Sequence, residues 1–133
     1  PRYFSRPVFS YAVPGGGGLR PWSGEPLALP VHEIHFDAEG LSCEVLLNEC
    51  DSGIWTYRRN ERVSMPIDRA LLTTQTGLRY LAPEIVLLYK SKHLRKKDQD
   101  DYQAVAAHLQ VEQRDWLCDA LAITTPADHP WRI

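Results

Sequence analysis

Residues 31–48 read VHEIHFDAEGLSCEVLLN, and their two alternating halves decide that this part of the chain is a β-hairpin. In residues 31–37, Ile34 and Phe36 fall on one face of a strand, with Glu33, His35 and Asp37 on the other. The reason is the period of two in an extended chain. Leu41, Cys43, Val45 and Leu47 likewise share a face, and Ser42, Glu44, Leu46 and Asn48 take the opposite one. Ala38-Glu39-Gly40 lies between the halves and reads as the turn. A slip of one residue would send every apolar side chain to the wrong face, so the faces choose the register. Phe36 pairs with Cys43 and Ile34 with Val45, which sets His35 opposite Glu44, with Glu33 and Asp37 nearby. That polar face has two readings: the wet side of an antiparallel hairpin, or a carboxylate-rich ligand face.

A second stretch, residues 81–102, reads LAPEIVLLYKSKHLRKKDQDDY. Pro83 suits the first turn of a helix, where its missing N–H costs nothing. Glu84 in the same turn is favoured by the helix dipole. The run Ile85-Val86-Leu87-Leu88-Tyr89 predicts a helix buried on most sides. A basic run follows, Lys90, Lys92, His93, Arg95, Lys96 and Lys97, and then Asp98, Asp100 and Asp101. Asp98 is expected to cap the next helix, with Asp101 three residues on completing a capping box. Cations after one helix and acids before the next are ordinary electrostatics, or else a phosphate-binding corner. Lys90 is the reason to keep the second reading beside the first, because it follows five apolar residues and its ammonium is held close to the protein.

The remaining segments fit around these two. Residues 8–13, VFSYAV, read as a short strand, Gly15 to Gly18 as a flexible turn, and residues 20–30 as irregular. Residues 54–58, IWTYR, form a further strand after a turn at residues 50–53; residues 67–72 read as a short helix or an extended segment. Residues 76–81 read as a turn and short strand leading into the buried helix. Tyr102, Val105, Ala106 and Leu109 follow helical spacing, as do Trp116, Leu117, Ala120 and Leu121, which predicts an αα-hairpin. The tail from Thr125, with two prolines and Trp131, is expected to lie on the surface as a strap. The fold class is therefore α+β: a mixed or antiparallel sheet of about four strands, helices on one face and a C-terminal helical hairpin. A single domain is expected over 1–133, with 1–81 mainly strands and loops, 82–124 helical and 125–133 a tail.

The chain has 133 residues, 44% apolar and 24% charged, which suits a globular domain with a real core. A net charge of −2 argues against a general nucleic-acid binder. Neither a transmembrane stretch nor a signal peptide is visible. Three cysteines, Cys43, Cys50 and Cys118, without CxxC spacing read as reduced thiols in a cytoplasmic protein, with Cys43 and Cys118 as small core residues. The start at Pro1 fits a processed, shortened or truncated chain. A zinc site is not indicated, because His32 and His35 fall on opposite faces of a strand and no cysteine pair supports them. Neither a nucleophile elbow nor a GxxxxGK[ST] or GxGxxG loop is present.

RPW at 20–22, VHEIHF, EVLLNE, WTYRRNERV, LAPEIVLLYKSK, RKKDQDDY and the closing HPW occur in that order. Over roughly residues 19–133, this ordered set resembles the C-terminal two-thirds of small bacterial nucleotidyltransferases related to the aminoglycoside and lincosamide adenylyltransferases. The resemblance implies Mg²⁺ held by carboxylates and bound to ATP, with a substrate hydroxyl attacking the α-phosphorus and pyrophosphate leaving. It implies that Glu44 is a metal-binding catalytic carboxylate and that Lys90 and Lys92 contact nucleotide phosphates. The family's earlier Gly-Gly…acid–x–acid motif has no counterpart here. Gly17-Gly18 followed by Glu33-Ile34-His35 mimics its spacing but places His35 where the second acid belongs. The resemblance thus implies a truncated relative of antibiotic-modifying enzymes. Its partners would be a nucleotide and a small-molecule hydroxyl acceptor. The alternative is a non-catalytic binding or assembly module, a homodimer that covers a sheet edge.

Overall fold

The computed structural model describes residues 8–48 and 50–132. They divide into two compact units, one up to Asn48 and one beyond it. Pro1, Glu49 of the EVLLNE match and Ile133 lie outside the described residues. The fold is α+β.

The first unit is a four-stranded antiparallel sheet of order β2-β1-β3-β4. Its strands are β1 (Val8–Ala12), β2 (Leu19–Pro21), β3 (Glu33–Ala38) and β4 (Leu41–Leu46). The register of β3 and β4 is the one chosen from the faces: Ile34 opposite Val45, His35 opposite Glu44 and Phe36 opposite Cys43. The two-residue turn between them places Glu39 at φ 49° and Gly40 at φ 82°. Positive φ at both central residues gives a twist that matches the flanking strands, and glycine adopts it without a Cβ clash. On the apolar face Phe9 meets Phe36 at 5.1 Å and the edge of Trp22 at 5.9 Å. Part of the stretch expected to be irregular is a strand: Leu19–Pro21 pairs with β1, because the glycine turn brings it back alongside. Pro21 is tolerated there because β2 is an edge strand.

The second unit opens with a three-stranded sheet of β5 (Cys50–Asp51), β6 (Ile54–Thr56) and β7 (Ser64–Pro66). Residues 67–73 take both of the forms left open for them: a one-turn helix α1 (Ile67–Ala70), then a strand β8 (Leu71–Thr73) paired with β9 (Arg79–Leu81). Helices α2 (Pro83–Lys90), α3 (Lys96–Ala106) and α4 (Val111–Thr124) follow. Pro83 opens α2 as expected. Ile85, Leu87 and Leu88 are buried, while Val86 faces outward. α3 and α4 are consecutive helices joined by a short turn, and both pack on α2. Buried Glu84 at the start of α2 accepts a hydrogen bond from Gln113 Nε2 of α4 at 2.8 Å, which ties the two helices. Among the described residues no helix is long and apolar enough to cross a membrane.

Two local expectations are corrected. Asp98 does not cap α3. The helix begins three residues earlier, at Lys96 after Arg95, and Asp98 sits inside its first turn, accepting from the Arg95 backbone N–H at 3.1 Å. The tail is not merely a surface strap, because Trp131 is buried in the core. Its ring stacks on Tyr102 at 4.3 Å and its Nε1 donates to Gln99 at 2.8 Å. His129 Nδ1 accepts from the Trp131 N–H, so the ring proton is on Nε2, which donates to the Ser91 carbonyl at 2.9 Å. Cys43 and Cys118 are half-buried, not fully enclosed.

Candidate functional site

β3 and β4 position three ligand-type side chains on one face of the first unit. Glu33 and His35 are two residues apart on β3 and therefore project the same way, and Glu44 stands directly across from His35. His35 Nε2 and Glu33 Oε1 are 2.5 Å apart. One ligand atom from each of Glu33, His35 and Glu44 lies within 4.8 Å of the other two. Atoms bound to one ion at about 2 Å lie roughly 3–4 Å from each other, so the three are near, but not at, ligating separation. His35 and Glu33 are partly sheltered, at 17% and 25% side-chain exposure, while Glu44 faces solvent. Ser10 of β1 pairs with His35 from the other side and adds a hydroxyl residue to this face. Asp37 lies on the same face but outside the group of three.

The donor set suits a divalent cation. Two carboxylates are oxygen ligands of the kind Mg²⁺ takes, and an imidazole extends the range towards Mn²⁺ or Zn²⁺. The sequence alone left this face open between a wet surface and a ligand surface. The signal was present in the alternation and register, but the distance between Glu33 and Glu44 depends on rotamers that sequence does not specify.

Lys90 and Lys92 belong to the second unit and differ sharply. Lys90 Nζ is 2.7 Å from Asp101 Oδ2 and 3.6 Å from Asp98 Oδ1. The hydrogen bond to Asp101 holds its ammonium above the ordinary value of 10.5, and the charge of Asp98 adds to this. Asp98 is fully buried and also receives Arg95 Nε at 2.8 Å. The Arg95 hydrogen bonds and the nearby Lys90 charge overcome burial and lower its carboxyl from 3.8 to about 2. Lys90 is thus held close to the protein, as its position after the apolar run implied, and its partners are two aspartates. Lys92 is exposed and lines a cleft of about 360 Å³ together with Arg59, Asn60 and Thr125. Sequence reasoning passed over Arg59, whose only signal was its place in a turn directly after a strand.

Neither a protein-family model, nor a curated protein, nor a solved structure matches the chain.

Proposed function

We propose that the chain is a cytoplasmic nucleotidyltransferase-like protein. It binds Mg²⁺-ATP and transfers AMP to a hydroxyl of a small molecule such as an aminoglycoside or lincosamide. The observation that carries this reading is the convergence of Glu33, His35 and Glu44 on one sheet face. The spacing Glu33-x-His35, which mimics the family's acid–x–acid pattern, ends up beside the carboxylate that the resemblance assigns to metal. Three ligand-type side chains thus support a cation where the resemblance assigned Glu44 alone. When bound, the cation would neutralise phosphate charge and orient the attacking hydroxyl. Glu44 and Glu33 would supply the negative charge that holds it, and His35, whose Nε2 contacts Glu33, stands beside them. In the transfer, a bond forms from the substrate oxygen to the α-phosphorus and the bond to the pyrophosphate oxygen breaks. The hydroxyl proton passes to a carboxylate of this face or to solvent. Of the two lysines to which the resemblance assigns phosphate contacts, Lys90 is held by Asp98 and Asp101, and Lys92 is exposed.

A second reading, a homodimeric assembly module without catalysis, is favoured by the outer strand β4, where Leu41, Val45 and Leu46 are all exposed. Calorimetric titration with ATP and Mg²⁺ separates the two. Saturable heat in the parent that weakens at least about tenfold in Glu44→Gln supports the transferase reading. Absence of heat at millimolar ATP, with a concentration-dependent dimer in sedimentation, would replace it with the assembly reading.

A further inference from the structure

The cleft beside α2 carries two cations that pair with no carboxylate among the described residues. Arg59, in the turn after β6, and Lys92, just beyond α2, both line it, and no carboxylate is among its lining residues. This contrasts with the basic stretch next to it. Lys90, Arg95 and Lys96 each have an aspartate partner, at 2.7, 2.8 and 2.7 Å. Among the described residues, Arg59 and Lys92 have no such partner. What sets Arg59 and Lys92 apart is that both line one concave space that an anion can fill.

Arg59 is also preorganised. Its Nη1 donates to the Tyr89 carbonyl at 3.0 Å, and its guanidinium lies over the Tyr89 ring at 5.2 Å. Nη1 also donates to the Tyr57 hydroxyl at 3.4 Å, so its two N–H groups hold the guanidinium still while Nε and Nη2 remain for a ligand, and little rotamer freedom is lost on binding. Asn60 Oδ1 accepts from the Arg62 N–H at 3.1 Å, which leaves the Asn60 amide N–H₂ as a further donor. The Thr124 and Thr125 hydroxyls donate to the carbonyls of Ala120 and Leu121, both at 2.7 Å, and so present lone pairs to the cleft. Lone pairs of this kind accept from ligand hydroxyls, not from a phosphate. A volume of about 360 Å³ lies near the lower end of small-molecule sites, roughly 300–1,000 Å³, enough for one phosphate and a ring-sized body.

The geometry points to the Arg59–Lys92 cleft as a metal-independent binding site for a phosphate monoester of a small hydroxylated compound, a nucleotide or a sugar phosphate. Arg59 and Lys92 take the phosphate, Asn60 donates to it, and the threonines accept from the ligand's hydroxyls. The site lies within the second unit and does not rest on the metal reading of the β3–β4 face.

The test is a backbone-amide NMR titration of the whole chain in EDTA with inorganic phosphate, ribose 5-phosphate and AMP. Saturable shifts are expected at the amides of residues 57–62, 92, 124 and 125, with the organic phosphates binding more tightly than phosphate alone. Arg59→Gln is expected to weaken binding about tenfold and Lys92→Gln several-fold. Lys92 is exposed, so its variant keeps the fold even if loss of Arg59 disturbs the turn. AMP binding more tightly than ribose 5-phosphate identifies a nucleotide site; equal affinities identify a sugar-phosphate site. No saturable shift below about 10 mM, or binding that ignores both substitutions, overturns the inference. Without metal in the titration, either result leaves the Mg²⁺-ATP experiment on Glu44 standing separately.

Discussion

Among the described residues up to Asn48, Ile34 alone is buried, whereas the unit beyond it packs Trp55, Met65, Ile85, Leu88, Leu121 and Trp131 into one continuous cluster. The first unit is held mainly by its ladders, its tight turns and the ring contacts of Phe9 with Phe36 and Trp22. The second is held by the removal of apolar area from water, the dominant driving force in most folded domains. The difference also separates two kinds of polar group. Glu33, His35 and Glu44 sit on an open sheet face, where side chains can rearrange around a ligand. Asp98 is enclosed and committed to Arg95 and Lys90, so its chemistry serves the fold.

The largest expected effect is in the helical core. Leu88→Ala removes a fully buried side chain and is expected to cost about 2–5 kcal/mol in urea denaturation. Val45→Ala, at a position 49% exposed, is expected to cost under about 1 kcal/mol. Equal losses would break the contrast between the units.

Next comes the Asp98 network. Its carboxyl titrates near 2, below the ordinary 3.8, so its contribution is present above the ordinary value and lost as pH falls through the folded one. Lys90 behaves oppositely: held above 10.5, its contribution is complete below that value and lost as pH rises through the folded one. Denaturation midpoints measured from pH 5 down to pH 2 are therefore expected to fall more steeply in the parent than in Asp98→Asn, which starts lower. Parallel curves would remove the buried carboxylate from the account.

A further, local effect sharpens the sheet side. Gly40→Ala forces a Cβ into a backbone at φ 82° and is expected to cost about 1–2 kcal/mol. Hydrogen exchange is expected to speed up at the β3 and β4 amides while α2 and α4 stay protected. Uniform acceleration in both units would show that they do not open separately.

Much of this architecture was legible in the sequence. Alternation in residues 31–48 fixes which residues share a face, and the tight turn at 38–40 selects among the registers that keep those faces together, which sets His35 against Glu44. Helical periodicity located α2, α3 and α4, and Pro83 marked where α2 begins. These readings succeed because each depends on neighbours within a turn or a pleat.

Contacts between distant segments were decided by the tertiary structure alone. Asp98 and Asp101, not solvent or a ligand, hold Lys90. Trp131 leaves the surface because Tyr102 and Gln99 of α3 offer it a stacking partner and an acceptor. Arg59 and Lys92 meet at one cleft only because β6 and α2 are packed in the same core. Periodicity reports which face of an element is apolar, while the partner of a charged or aromatic side chain depends on how those faces are assembled, which no local pattern encodes.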